Sequence, residues 1–127
     1  MRNFFCAVAA LTAMMGPVLS IASANERALD GVEAQRALEG HRFSLSCVDG
    51  TSGSARLAGT VVSASYLRSG SDGAVRDIGH VRARGENLCI RWNEMNHGAE
   101  GCYHVSQRSP GLYRITSGMG WCDLAVH

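Results

Sequence analysis

At 127 residues the chain is long enough for one small domain with a modest core. A formal charge of +1, from 12 basic and 11 acidic residues, leaves neither the basic excess that advertises a nucleic-acid partner nor an acidic field. Every basic residue is arginine, which keeps its charge in any setting and forks onto carboxylate or phosphate.

The chain opens on a short positive start, Met1-Arg2-Asn3, followed by an almost wholly apolar run from Phe4 to Met15. Gly16-Pro17 interrupts that run, and Ala22-Ser23-Ala24 supplies the small residues a signal peptidase cuts after. The pattern predicts a cleaved secretory signal over 1–24 and one disulfide-bonded β domain over 25–127, in the periplasm or outside the cell. A retained anchor fits less well, because the apolar run is short for a bilayer and Pro17 breaks it. Cleavage leaves no membrane span. Cys6 lies inside the signal without a lipobox-like Leu before it.

Residues 26–38 carry the one helix signal. Asp30 and Glu33 form a capping-box start, Gly40 offers a stop, and Leu29, Val32 and Leu38 give a thin apolar face. Such a helix packs on the outside of the domain or across one end of it.

From Arg42 the period changes to two. Phe43, Leu45 and Cys47 share one side of a strand over 42–48, and 49–53 reads as a turn. Residues 54–67 continue as strand with a bulge or bend at Gly59-Thr60, and Ser69–Gly73 forms a polar loop. Five further strands are predicted at 75–84, 87–94, 100–107, 112–117 and 121–126. The fold class is therefore all-β: a small antiparallel barrel or sandwich of six to eight strands, with one short N-terminal helix.

Registers follow from keeping apolar residues on one face. A two-residue turn at Gly85-Glu86 sets Arg84 against Asn87, Ala83 against Leu88, Val81 against Ile90, and Gly79 beside an inward Trp92. The next hairpin sets Cys89 against Cys102 and Arg91 against Glu100, all outward. A three-residue loop at Ser109-Pro110-Gly111 sets Val105 against Ile115. These three registers agree on one inner face.

Four cysteines remain after cleavage: Cys47, Cys89, Cys102 and Cys122. An even number in a small exported chain indicates disulfides, and the absence of any C-x-x-C argues against zinc. Alternation turns Cys47 and Cys122 inward and leaves Cys89 beside Cys102 outside. The expected bridges are Cys89–Cys102 and Cys47–Cys122, the second joining the first and last strands as barrel closure requires.

Two stretches resemble known families. Leu38-Glu39-Gly40-His41-Arg42-Phe43 resembles the L-x-G-x-x-aromatic lead into the first strand of lipocalin-like or avidin-like barrels, with Phe43 displaced from the usual Trp position. Cys89-Ile90-Arg91-Trp92 with Gly101-Cys102-Tyr103-His104-Val105 is similar to the C-x-x-W…C-Y-x-V pattern of small exported bacterial proteins of unknown function. The likeness implies a fold and a compartment, and brings no catalytic residues.

Candidate chemistry is sparse. The histidines His41, His80, His97, His104 and His127 form no H-x-H or H-E-x-x-H, so no metal site is expected, and no cofactor motif is present. Phe43, Trp92, Tyr103 and Tyr113 point inward, where they fill the barrel or line a ligand cup. Arg76, Arg82, Arg84, Arg91 and Arg114 project outward with His80 and His104 against one principal acid, Glu100. A solvated exterior is the plain reading of such a face. The functional reading is a non-catalytic binding or inhibitor module whose arginines take an anionic envelope polymer or an acidic protein. The alternative is a small secreted hydrolase, of phosphodiester type, using Glu100 and His104 as base and acid beside Arg91.

Overall fold

The computed structural model describes residues 26–70 and 72–127; the signal-like segment 1–24 and Ser71 of the polar loop lie outside the described residues. The elements run β1 (Arg27–Leu29), α1 (Gly31–Leu38), β2 (Arg42–Cys47), β3 (Ser52–Ala58), β4 (Val61–Leu67), β5 (Val75–Arg84), β6 (Asn87–Trp92), a 3-10 turn (Met95–Gly98), β7 (Glu100–Ser109), β8 (Leu112–Ser117) and β9 (Gly120–Val126). Strands β2 to β9 each pair antiparallel with the next, and β9 returns to pair with β2, closing an eight-stranded barrel.

Apolar alternation selects the inner face. Phe43, Ala55, Leu57, Val62, Tyr66, Val81, Leu88, Trp92, Val105, Tyr113 and Leu124 all point inward and are buried in one cluster. The hairpin registers follow the sequence: Arg84↔Asn87, Ala83↔Leu88, Val81↔Ile90 and Gly79↔Trp92 in one ladder, Cys89↔Cys102 and Arg91↔Glu100 in the next, Val105↔Ile115 in the third. At the closing seam Phe43 faces Val126, Leu45 faces Leu124, and Cys47 faces Cys122. Both expected disulfides are present, Cys47–Cys122 across 75 positions and Cys89–Cys102 across 13. On the chain-entropy account, tying so long a loop at the seam stabilises the fold by about 4 kcal/mol.

The helix is shorter than expected, and it plugs one end of the barrel. Asp30 caps it, accepting from the Glu33 backbone N–H at 2.8 Å while the Glu33 carboxylate accepts from Asp30 N–H at 3.2 Å. Leu29 is not helical; it ends β1, which pairs with β7 through Leu29↔Val105 just beyond the last β6 partner, Asn87↔His104. Val32 consequently faces solvent at 49 % exposure, and Ala34 and Leu38 take the inward positions. The Gly31 N–H donates to Gly85 O at one side of the opening, and Gly40 N–H donates to Leu57 O at the other. A side chain at Gly31 would run into the Asn87 carbonyl, so helix and barrel meet backbone to backbone.

Three other expectations are corrected. Gly59-Thr60 is not a bulge within a strand but the two-residue turn between β3 and β4, with Gly59 at φ +61°, a left-handed conformation that glycine takes without steric cost. The β7–β8 connection is tighter than a three-residue loop: Ser109 pairs with Leu112, and the register slips between Gln107 and Ser109. Strand β6 stops at Trp92 instead of running to Glu94.

At Gly79 the inner packing has little slack. A Cβ there would lie 2.8 Å from Ile90 Cγ2 and 3.0 Å from both Trp92 Cε3 and Val62 Cγ1. The missing side chain lets the indole approach β5 closely, and Trp92 is 9 % exposed. Gly79→Val should therefore lower stability by about 1–3 kcal/mol, the usual cost of overpacking. Urea unfolding checks this, and an unchanged midpoint would mean that the ring does not depend on the gap.

Candidate functional site

Among the described residues nothing plugs the end opposite α1. There the turns at 48–51, 93–99 and 118–119, with Arg68 just past the end of β4, surround a cavity of about 560 Å³ running down into the inner face. Its wall is largely apolar: Tyr66 from β4, Ile90 and Trp92 from β6, Tyr103 from β7, Ile115 from β8, and Leu45 and Leu124 at the seam. A concave apolar site with few polar groups is the usual form of a small-molecule pocket.

The polar groups around this mouth each have a role. The Tyr103 ring lies over Gly101, with its hydroxyl 3.3 Å from where a Cβ would stand. Burial pushes the Tyr103 hydroxyl pKa up, while a hydrogen bond with the Trp92 side chain opposes that shift. Asp77 points inward and is 5 % exposed, yet its carboxylate accepts from the backbone N–H groups of Ile78 (2.8 Å), Met95 (2.9 Å) and Glu94 (3.3 Å). It thereby anchors the 93–99 turn, in which Asn96 and His97 take left-handed conformations at φ 57° and 54°. Side chains other than glycine rarely adopt that region, and the buried carboxylate helps hold the turn in it. At the rim, Asp49 accepts from the Thr51 backbone N–H at 2.9 Å, and hydrogen bonds from Thr51 hold its carboxyl below the ordinary carboxylate range. The Arg68 guanidinium lies 5.8 Å from the centroid of the Tyr66 ring.

The outer face is less uniform than the sequence suggests. Arg76, Arg82 and Arg84 lie on β5, Arg91 on β6 and Arg114 on β8, all outward. Barrel curvature separates them, since β8 is three ladders on from β5 in a ring of eight. Glu100 does not pair with Arg91, its neighbour in register. It takes Arg82 through two bonds of 2.8 and 2.9 Å, and Arg84 at 3.2 Å, reaching over β6 and the buried Cys89. The Arg82 contact, with Arg84 adding to it, holds the Glu100 carboxyl below its ordinary value, so it stays an anion at neutral pH. Arg114 forks onto Asp123 at 2.7 and 3.1 Å and stacks 3.8 Å from the Trp121 ring centroid. Arg76 and Arg91 have no carboxylate partner among the described residues. Arg91 lines an outer hollow with Thr60, His80, Val81, Arg82 and Glu100.

Glu100 and His104 are four positions apart on one face of β7, about 13 Å at strand rise, too far for a shared proton relay. In register, His104 stands between Asn87 and Thr116. A Glu100 carboxylate oxygen and the sulfurs of Cys89 and Cys102 lie within 4.8 Å of one another, but the sulfurs are bonded together and offer no thiolate. Sequence reasoning missed Asp77 and Arg68. The first carried a signal, an acid in the inward phase of β5 between Val75 and Gly79; the second, just past the end of β4, carried none.

Comparison with family models, with curated proteins and with solved structures finds nothing that matches this chain.

The Arg114–Asp123 pair gives the outer wall a pH dependence with a definite sign. Asp123 is held below its ordinary value chiefly by the Arg114 hydrogen bond. Its stabilising contribution is complete above the unfolded carboxylate value, near 3.9, and is lost as pH falls through the lower folded value. Asp123→Asn should cost about 1 kcal/mol at neutral pH, since the pair is partly exposed, and should cost nothing at the acid end. Thermal melts of both proteins between neutrality and about pH 2 read this directly. A gap that persists unchanged into acid would refute the ion-pair account.

Proposed function

We propose that this chain is an exported, non-catalytic binding module that takes a small, largely apolar molecule into the open mouth of its barrel. One observation carries the reading: an aromatic-lined cavity of about 560 Å³, left open by the described residues, beside a core that is otherwise filled. In a barrel of this size side chains ordinarily fill the interior. Here α1 and the larger inward residues fill one half, and the other half stays open to solvent. Export to the periplasm or the cell exterior is supported by the two disulfides and by the signal-like residues 1–24.

A neutral apolar fluorophore tests the reading. N-phenyl-1-naphthylamine should bind saturably with a blue-shifted emission and should quench tryptophan fluorescence. Ile115→Trp, which places a bulky ring across the cavity, should weaken binding at least about tenfold, as expected when an apolar pocket of this class is filled. Absence of saturable binding to the parent protein would overturn the proposal.

A second reading keeps the outer arginines as a site for an anionic envelope polymer or an acidic protein. It is favoured by Arg76 and Arg91, whose charges no carboxylate offsets among the described residues. The informative variant is Arg76→Glu with Arg91→Glu, which leaves the Glu100 ion pairs in place. Retention on an anionic matrix should fall, and the parent's retention should fade between about 50 and 500 mM salt as screening shortens. Equal retention of parent and variant at low salt would reduce this face to a solvated surface.

A further inference from the structure

We infer that the mouth selects an amphipathic anion, with its apolar body against Ile90, Trp92 and Tyr103 and its charged head on Arg68. The inference rests on the mouth being a binding site and adds the chemistry of what enters.

Among the described residues Arg68 is the one basic residue on the cavity wall. Arg27, Arg82, Arg84, Arg108 and Arg114 each hold a carboxylate, whereas Arg68 has none within ion-pair reach among the described residues. Its guanidinium stands near the ring of Tyr66, which is itself buried and part of the wall, so the charge sits where the apolar lining gives way to water. Asp49, the one acid on the wall among the described residues, is already engaged by Thr51, and Arg68 is the weakest of the influences on it. The cation therefore keeps its donors for something else. A guanidinium offers paired N–H groups that fit a carboxylate or a phosphate in the same way. A wholly apolar ligand would leave that charge unused at the rim, while a cationic ligand would be repelled by it.

The test is displacement of N-phenyl-1-naphthylamine from the full mature protein by decanoate, decyl phosphate and decanol, all below their aggregation limits. The chain is the same in each and only the head differs. Either anion should displace the probe at about fivefold lower concentration than decanol, the scale of a charge-assisted contact at an exposed rim. Arg68→Gln should abolish that advantage and Arg68→Glu should reverse it, each read as the ratio of anion to decanol displacement within the same variant, with melting temperature unchanged. The two anions report whether the head is read as carboxylate or phosphate, and an advantage for either supports the inference. If decanol displaces as well as both anions, or if Arg68→Gln keeps the preference, the head-group inference fails and the apolar mouth stands. If the probe itself never binds, the mouth is no binding site and both readings fall together.

Discussion

The ladder between β2 and β9 is the constraint on which the rest of the molecule depends. Without it the chain is an open meander with two free edges and no interior. With it, the inward residues of eight strands face one another across a common axis. The seam is chemically reinforced where it meets the mouth, because Cys47 and Cys122 are direct partners in register. That places a covalent tie in the rim of the cavity itself, where the barrel has no helix behind it. Toward the other end the seam needs no bridge, since Phe43 is buried in the core and the backbone hydrogen bonds run on to His127.

Much of this was legible because alternation is a strict rule. A register shifted by one residue would have turned Leu88, Ile90 and Trp92 to solvent, so three hairpins and both disulfides followed from a single requirement. Glycine was the weaker guide. Gly59 reads as a bulge or bend within one strand, and only the pairing of Ala58 with Val61 shows it to be a turn. The helix boundary failed for a related reason: Leu29 sits at helical spacing from Val32, yet β7 offers it a ladder position, and tertiary pairing overrode the local pattern.

The outer face shows where alternation stops informing. Register states which Cα atoms are neighbours, but not which of two arginines a carboxylate takes. Glu100 ignored Arg91, directly opposite, and reached Arg82 across an intervening strand, because a long guanidinium can fork onto both oxygens from there. Nor does alternation report curvature, which carries Arg114 round to its own partners, Asp123 and Trp121. The cavity was not legible either. Sequence identifies inward aromatics, but whether they fill the space or line it depends on how far α1 enters and from which end.

The order of the ladders bears on how the chain is made. Seven of the eight barrel ladders join strands consecutive in sequence, and only the seam joins distant ones. Local hairpins close quickly, and distant pairings wait on loop-closure entropy. Cys89 and Cys102 are brought face to face by one hairpin, whereas Cys47 and Cys122 meet only after everything between them has curled round. Until the seam forms, the chain can be no more than a curled sheet, in which the Cys89–Cys102 bridge can close and the Cys47–Cys122 bridge cannot. Such an open form has two bare strand edges and two thiols, the features through which other chains pair.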